Sequence, residues 1–192
     1  MEKPLLLLAL ALTPALAACS GSNGGNGNGD AATDEELPLP TAHIEYTVSY
    51  QGSNSNVVFD GEVPREVDGF CSIADSSDPT YPFLLSFDFR KGEEGTVSYQ
   101  EIQMNALRIK AGLSIEILPC GGLSINHGGV EQQATLVECG DTAEGKCAFT
   151  GVSYDEQQNI VSGSFACGAF TTNTFATMEV TGGSFSLKNC ER

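Results

Sequence analysis

The side chains able to do chemistry in this chain are few: two histidines, seven cysteines and a large excess of carboxylates. Nucleophilic hydrolysis needs a serine or cysteine held against a base, usually histidine. No Gly-x-Ser-x-Gly turn occurs. His43 falls in a strand-like run, and His127 lies in Ile125-Asn126-His127-Gly128-Gly129, which reads as a loop. Both are read as surface or loop residues. Neither histidine stands at ligand spacing from a cysteine and no Cys-x-x-Cys pair is present, so no metal–thiolate centre is expected. His-Glu-x-x-His, phosphate loops and dinucleotide fingerprints are missing as well. Asp75 and Asp78 around Ser76-Ser77, or Asp141 with Glu144, lack the Asp-x-Asp-x-Asp-Gly spacing of a calcium loop. They read as solvated surface, with calcium the lesser reading. Carboxylates far apart in sequence remain a route to glycoside hydrolysis, because such pairs are assembled by the fold.

The N-terminus is more informative. Lys3 precedes an unbroken apolar run from Leu5 to Leu12, then Thr13-Pro14 and the small-residue stretch Ala15-Leu16-Ala17-Ala18 before Cys19. A short charged end, an apolar middle and a cleavable small-residue end are the layout of a secretory signal. The apolar run is shorter than the roughly 20 residues a helix needs to cross a bilayer. Leu16-Ala17-Ala18-Cys19 resembles the lipobox of bacterial lipoproteins. That resemblance implies removal of the signal peptide, residues 1–18, and a thioether bond from Cys19 to diacylglycerol carrying palmitate-type chains. It also implies attachment in the cell envelope. Ser20 follows the cysteine where aspartate often retains such proteins at the inner membrane, which points to an outer membrane. Ala15-Leu16-Ala17 also fits an ordinary signal-peptidase site, which would leave Cys19 as a thiol.

Setting Cys19 aside leaves an even set: Cys71, Cys120, Cys139, Cys147, Cys167 and Cys190. In an exported chain such a set reads as up to three disulfides, with connectivity open. Gly140 to Gly145 looks like a turn joining two strand ends, so Cys139 is expected to pair with Cys147. Cys167 with Cys190, and Cys71 with Cys120, complete that expectation.

Nine basic and 25 acidic residues give a net charge of −16. Binding to nucleic acid or anionic lipid rests on Lys and Arg neutralising phosphate, so neither is an expected partner. Membrane attachment must then come from the lipid on Cys19.

The elements that would position any site are extended. Residues 19–40, opening with a Gly/Asn run, have little to bury and read as a flexible tether. From Thr41 to Arg192 the chain reads as one domain. Ile44, Tyr46, Val48 and Tyr50 alternate with polar residues, as do Phe83, Leu85, Phe87 and Phe89. Shorter extended runs fall at Val57 to Phe59, Val97 to Tyr99, Leu113 to Leu118, Ala134 to Cys139, Ala148 to Tyr154, Ile160 to Ala166, Thr177 to Val180 and Ser184 to Leu187. Turn signals separate them at Gly52 to Asn56, Lys91 to Gly95 and Asp155 to Asn159. Ile102 to Lys110 fits a helix or a strand. The expectation is all-β: an antiparallel β-sandwich or jelly-roll-like barrel, stapled by disulfides behind a disordered linker. Val161-Ser162-Gly163-Ser164-Phe165 and Val180-Thr181-Gly182-Gly183-Ser184-Phe185 echo one another, as two neighbouring strands with a glycine before an inward phenylalanine would. The echo is similar to the terminal strands of exported bacterial β-sandwich proteins.

Two function classes follow. The first is a lipid-anchored, non-enzymatic module that binds a polysaccharide or protein of the envelope, with Tyr46 and Tyr50 as candidate face residues. The second is an envelope hydrolase of glycoside type working through dispersed carboxylates.

Overall fold

The computed structural model describes residues 38–128, 138–139, 145–171 and 176–192. The expected signal peptide (residues 1–18), Cys19, the expected tether up to residue 37 and the pair Asp141/Glu144 lie outside the described residues. Within them the chain is all-β.

β1 (Thr41–Tyr50) and β2 (Ser53–Glu62) form a hairpin. Only Gln51 and Gly52 make its turn, both left-handed with φ of 48° and 79°, the geometry whose twist matches paired strands. Ser53 to Asn56, expected in the turn, belong to β2. β3 (Asp68–Asp75), β4 (Phe83–Lys91) and β5 (Gln100–Ile109) meander, then β6 (Gly112–Ser114), β7 (Gly122–His127), β8 (Glu138–Cys139), β9 (Lys146–Asp155), β10 (Ile160–Thr171) and β11 (Thr177–Lys188) follow. The larger sheet runs β2-β1-β11-β10-β9-β6 with β8 beside β9, and the smaller runs β3-β4-β5-β7. Pairing is antiparallel except for β8 with β9 and a single parallel bridge between Ser72 and Glu191. The first and last strands lie side by side.

Inward residues of β4 meet three strands spread across the facing sheet. Phe83 packs edge-on to Tyr154 of β9, Phe87 lies 6.4 Å from Phe185 of β11, and Phe89 lies 6.4 Å from Phe59 of β2. One strand therefore spans the width of the other layer, which is the steep crossing of an orthogonal sandwich. Ile44, Val48, Leu85, Phe89, Ile102, Leu107, Ile125 and Leu187 are fully buried between the layers. Each such side chain contributes roughly 1.5–3 kcal/mol through removal from water.

β11 shows why the sequence splits it in two. Met178 and Val180 face inward, and so do Gly183, Phe185 and Leu187, but the two sets are one residue out of phase. Gly182 absorbs the extra residue in a bulge, at φ 62°, where the register against β1 shifts. The echoed Gly/Phe motifs pair reciprocally across β10 and β11: Gly163 faces Phe185, and Gly183 faces Phe165. A Cβ on Gly183 would sit 2.6 Å from the Phe165 carbonyl oxygen and 2.8 Å from its ring. The glycines make room for the rings.

Other expectations are corrected. Val97 to Tyr99 is no strand: it sits in a turn held by hydrogen bonds from Thr96 N to Glu93 O and from Tyr99 N to Thr96 O, and Val97 is 90% exposed. Of Leu113 to Leu118, only the first two residues belong to β6. Ile102 to Lys110 resolves as strand through Ile109. Ala134 to Val137 lie outside the described residues. β3 and β7 went unanticipated.

The six cysteines pair as Cys71–Cys190, Cys120–Cys139 and Cys147–Cys167. None of the three expected pairings is formed. Cys139 does adjoin Cys147, but in a parallel ladder rather than a hairpin. Cys147 is bonded instead to Cys167, directly opposite it on β10 with Cα atoms 3.9 Å apart. Cys190 is carried past the end of β11 onto the edge of β3, where Ile73 N donates to Glu191 O at 2.7 Å and Glu191 N to Cys71 O at 3.1 Å. The disulfide there joins the two sheets and covers part of an otherwise open edge.

Candidate binding surface

β4 and β5 lie in the middle of the smaller sheet and carry its densest polar group on the face away from the core. Asp88 and Arg90 are two apart on β4 and so share that face. Glu101 of β5 stands opposite Arg90, and Gln103 opposite Asp88. Arg90 Nη2 donates to Asp88 Oδ2 at 2.7 Å, and Arg90 Nε to Asp88 Oδ1 at 3.2 Å and Glu101 Oε1 at 3.1 Å. The forked guanidinium thus holds both carboxylates in place. The Asp88 carboxylate, through its hydrogen bond and then its charge, holds the Arg90 guanidinium above its already high range, with Glu101 adding to the effect and burial opposing it. Asp88 is only 4% exposed.

Phe70 of β3 stands opposite Asp88 on the other side and is 48% exposed. Its neighbours Cys71 and Ile73 fill the inward positions, which leaves the ring to solvent. At the far end of the Arg90–Glu101 row, Asn126 of β7 is buried, with its Oδ1 unpartnered. The face therefore combines one exposed aromatic ring with a rigid set of planar polar groups.

A second cluster lies on the outer face of the larger sheet. His43 Nδ1 is 2.9 Å from Asp60 Oδ1, and Ser186 stands opposite His43 on β11. The three resemble a hydrolytic arrangement in composition. Acyl transfer also requires free donors for an oxyanion, and here the strands flanking Ser186 pair with it on both sides. A shallow recess of about 360 Å³ adjoins, lined by His43, Asp60, Glu62, Glu66, Ser186 and Lys188. Each carboxylate there has its own partner: Asp60 has His43, Glu62 has Arg65, and Glu66 accepts from the Glu62 backbone.

His127 lies on β7 rather than in a loop, half-buried with Nδ1 unpartnered, and burial lowers its basicity. Tyr46 is a core residue, 1% exposed and packed on Phe165, so it lines no outer face; Tyr50 packs against the core from a half-buried position. Burial holds the Tyr46 hydroxyl in its neutral form. The Asp78 carboxylate accepts from Thr80 N and faces Arg108 at 3.5 Å. Among the described residues, no group of three or more His, Cys, Asp or Glu side chains is arranged to hold a metal ion, and no helix is long and apolar enough to cross a membrane. Sequence reasoning missed Phe70, Asp88, Arg90 and Glu101, whose only signal was the outward phase of the strands carrying them. No family model, curated protein or solved structure matches the chain.

Proposed function

We propose that the chain is an envelope lipoprotein, anchored through lipid on Cys19, whose sandwich acts as a binding module through the outer face of the smaller sheet. The anchor reading rests on the residues before Cys19 and on cysteine parity. The three disulfides account for every cysteine from Cys71 onward, leaving Cys19 as the odd one. Such bonds belong to an oxidising compartment.

One observation carries the binding reading: the exposed Phe70 ring beside the Asp88–Arg90–Glu101 group. Aromatic rings with a fixed polar rim supply contact area at little conformational cost. The partner is a polysaccharide or protein of the envelope. The hydrolase reading is weaker, because Asp88 and Glu101 are bridged by one guanidinium rather than placed as separate acid and base.

A photo-crosslinking residue at position 70 should capture an envelope component in cells. The same residue at position 186, on the opposite face, should not. Phe70→Ala should reduce capture from a nearby probe at position 103 by about tenfold, corresponding to roughly 1.4 kcal/mol. Equal capture from positions 70 and 186 would refute the assigned face.

A further inference from the structure

Three cysteines stand in one row across three neighbouring strands. Cys139 of β8 is in register with Cys147 of β9, and Cys147 with Cys167 of β10. Neighbouring strands lie about 4.8 Å apart. The register sets Cys139 beside Cys147 on the side away from Cys167, so Cys147 is the disulfide sulfur next in the row to a Cys139 thiolate, with Cys167 as the leaving group. Burial differs between the two disulfides. Cys147 and Cys167 are 0% and 2% exposed, whereas Cys120 and Cys139 are only partly buried against the core.

We propose that Cys120–Cys139 is a thiol–disulfide exchange site for an external dithiol, and that opening it passes the break inward to Cys167. A thiolate of the dithiol attacks Cys120 Sγ, forming a mixed disulfide and releasing the Cys139 thiolate. Cys139 attacks Cys147 Sγ, forming Cys139–Cys147 and releasing the Cys167 thiolate, which takes up a proton. The second thiol of the dithiol then closes on the mixed disulfide and frees Cys120 as a thiol. One dithiol is oxidised by two electrons and one protein disulfide is reduced, so the balance is complete. Attack on Cys139 Sγ instead releases Cys120, which has no place in the row; the second thiol of the dithiol then frees Cys139, which enters the same inward step. The exchange unclips Cys120, just beyond the exposed Ile115 and Ile117, from β8. It does not depend on the binding reading.

The test uses the full chain carrying Cys19→Ser, so that no other thiol competes. Folded protein is treated with graded dithiothreitol, quenched with acid, alkylated and mapped by peptide mass. At the first opening, the expected product carries labels on Cys120 and Cys167 and a peptide pair joined through Cys139 and Cys147, with Cys71–Cys190 intact. Labels on Cys120 and Cys139 with Cys147–Cys167 intact would overturn the proposal. A Cys139→Ser variant should keep Cys147–Cys167 closed at the dithiol level that opens it in the parent. Equal opening in the two proteins would also overturn it. If that variant does not fold, the parent's labelling pattern decides.

Discussion

Replacing both Cys71 and Cys190 by alanine should destabilise the domain more than removing either other disulfide. The bond closes a loop of 119 residues, against 20 for Cys147–Cys167 and 19 for Cys120–Cys139. Loop-closure entropy gives about 4.9 kcal/mol for the long loop and about 3.3 kcal/mol for one of 20 residues. The two short loops lie inside the long one and shorten its free path, which lowers its value to about 4.5 kcal/mol. Loss of the bond also frees Glu191 from the β3 edge, where it exchanges two backbone hydrogen bonds with Ile73 and Cys71. Those bonds add to the loss. With a urea dependence of about 2 kcal/mol per molar, the midpoint should fall by roughly 2 M. Urea unfolding of the Cys71→Ala/Cys190→Ala and Cys147→Ala/Cys167→Ala double variants, each followed by tyrosine fluorescence, reads the difference. If the Cys147/Cys167 variant proves the less stable, the strap at the C-terminus does not join the sheets as described.

Three further outcomes follow from the packing. Gly183→Ala should lower stability by about 1–3 kcal/mol through collision with Phe165, while Ser184→Ala on the exposed face stays within about 0.5 kcal/mol, both read by thermal melting. Tyr46→Phe removes a buried hydroxyl that has no hydrogen-bond partner, and should be neutral or stabilising by about 1 kcal/mol. A loss above that size would show an unrecognised partner. Burial makes folded His127 a weaker base than in the unfolded chain, so the unfolded state binds more protons just below the ordinary histidine range. Stability contributed at His127 is therefore present above that range and lost as pH falls through it to the folded value. Denaturant titrations between pH 7.5 and about 5 should show His127→Gln with a shallower acid loss than the parent; identical slopes would contradict the burial.

The fold class was legible because strand periodicity survives wherever one face is buried. β1 and β4 follow the alternation read from Ile44 to Tyr50 and from Phe83 to Phe89. The Gly/Phe echo marked two adjacent strands, as observed. What escaped reading depends on partners distant in sequence. β3 places Phe70 outside and Cys71 and Ile73 inside, a short pattern whose largest apolar side chain faces water. The apparent strand at Val97 is overridden by the local Glu93–Thr96 turn. Cysteine pairing follows register: Cys147 meets Cys167 because β9 and β10 are opposed there, and Cys190 meets Cys71 because β11 overruns its sheet. The Asp88–Arg90–Glu101 group was hidden for the same reason, since two residues on one strand and one on the next become neighbours only once the register is set.

The central claim is that an anchored, disulfide-closed sandwich stands in the envelope, and intact mass of the native membrane-extracted protein tests it most directly. The mass should correspond to a chain beginning at Cys19 with an added diacylglyceryl group and acyl chain, and six cysteines oxidised. A Cys19→Ser variant should no longer be found in mature form in the membrane fraction. A native chain that begins at Ala18 or Cys19 without lipid, and is recovered as soluble protein, would contradict the account.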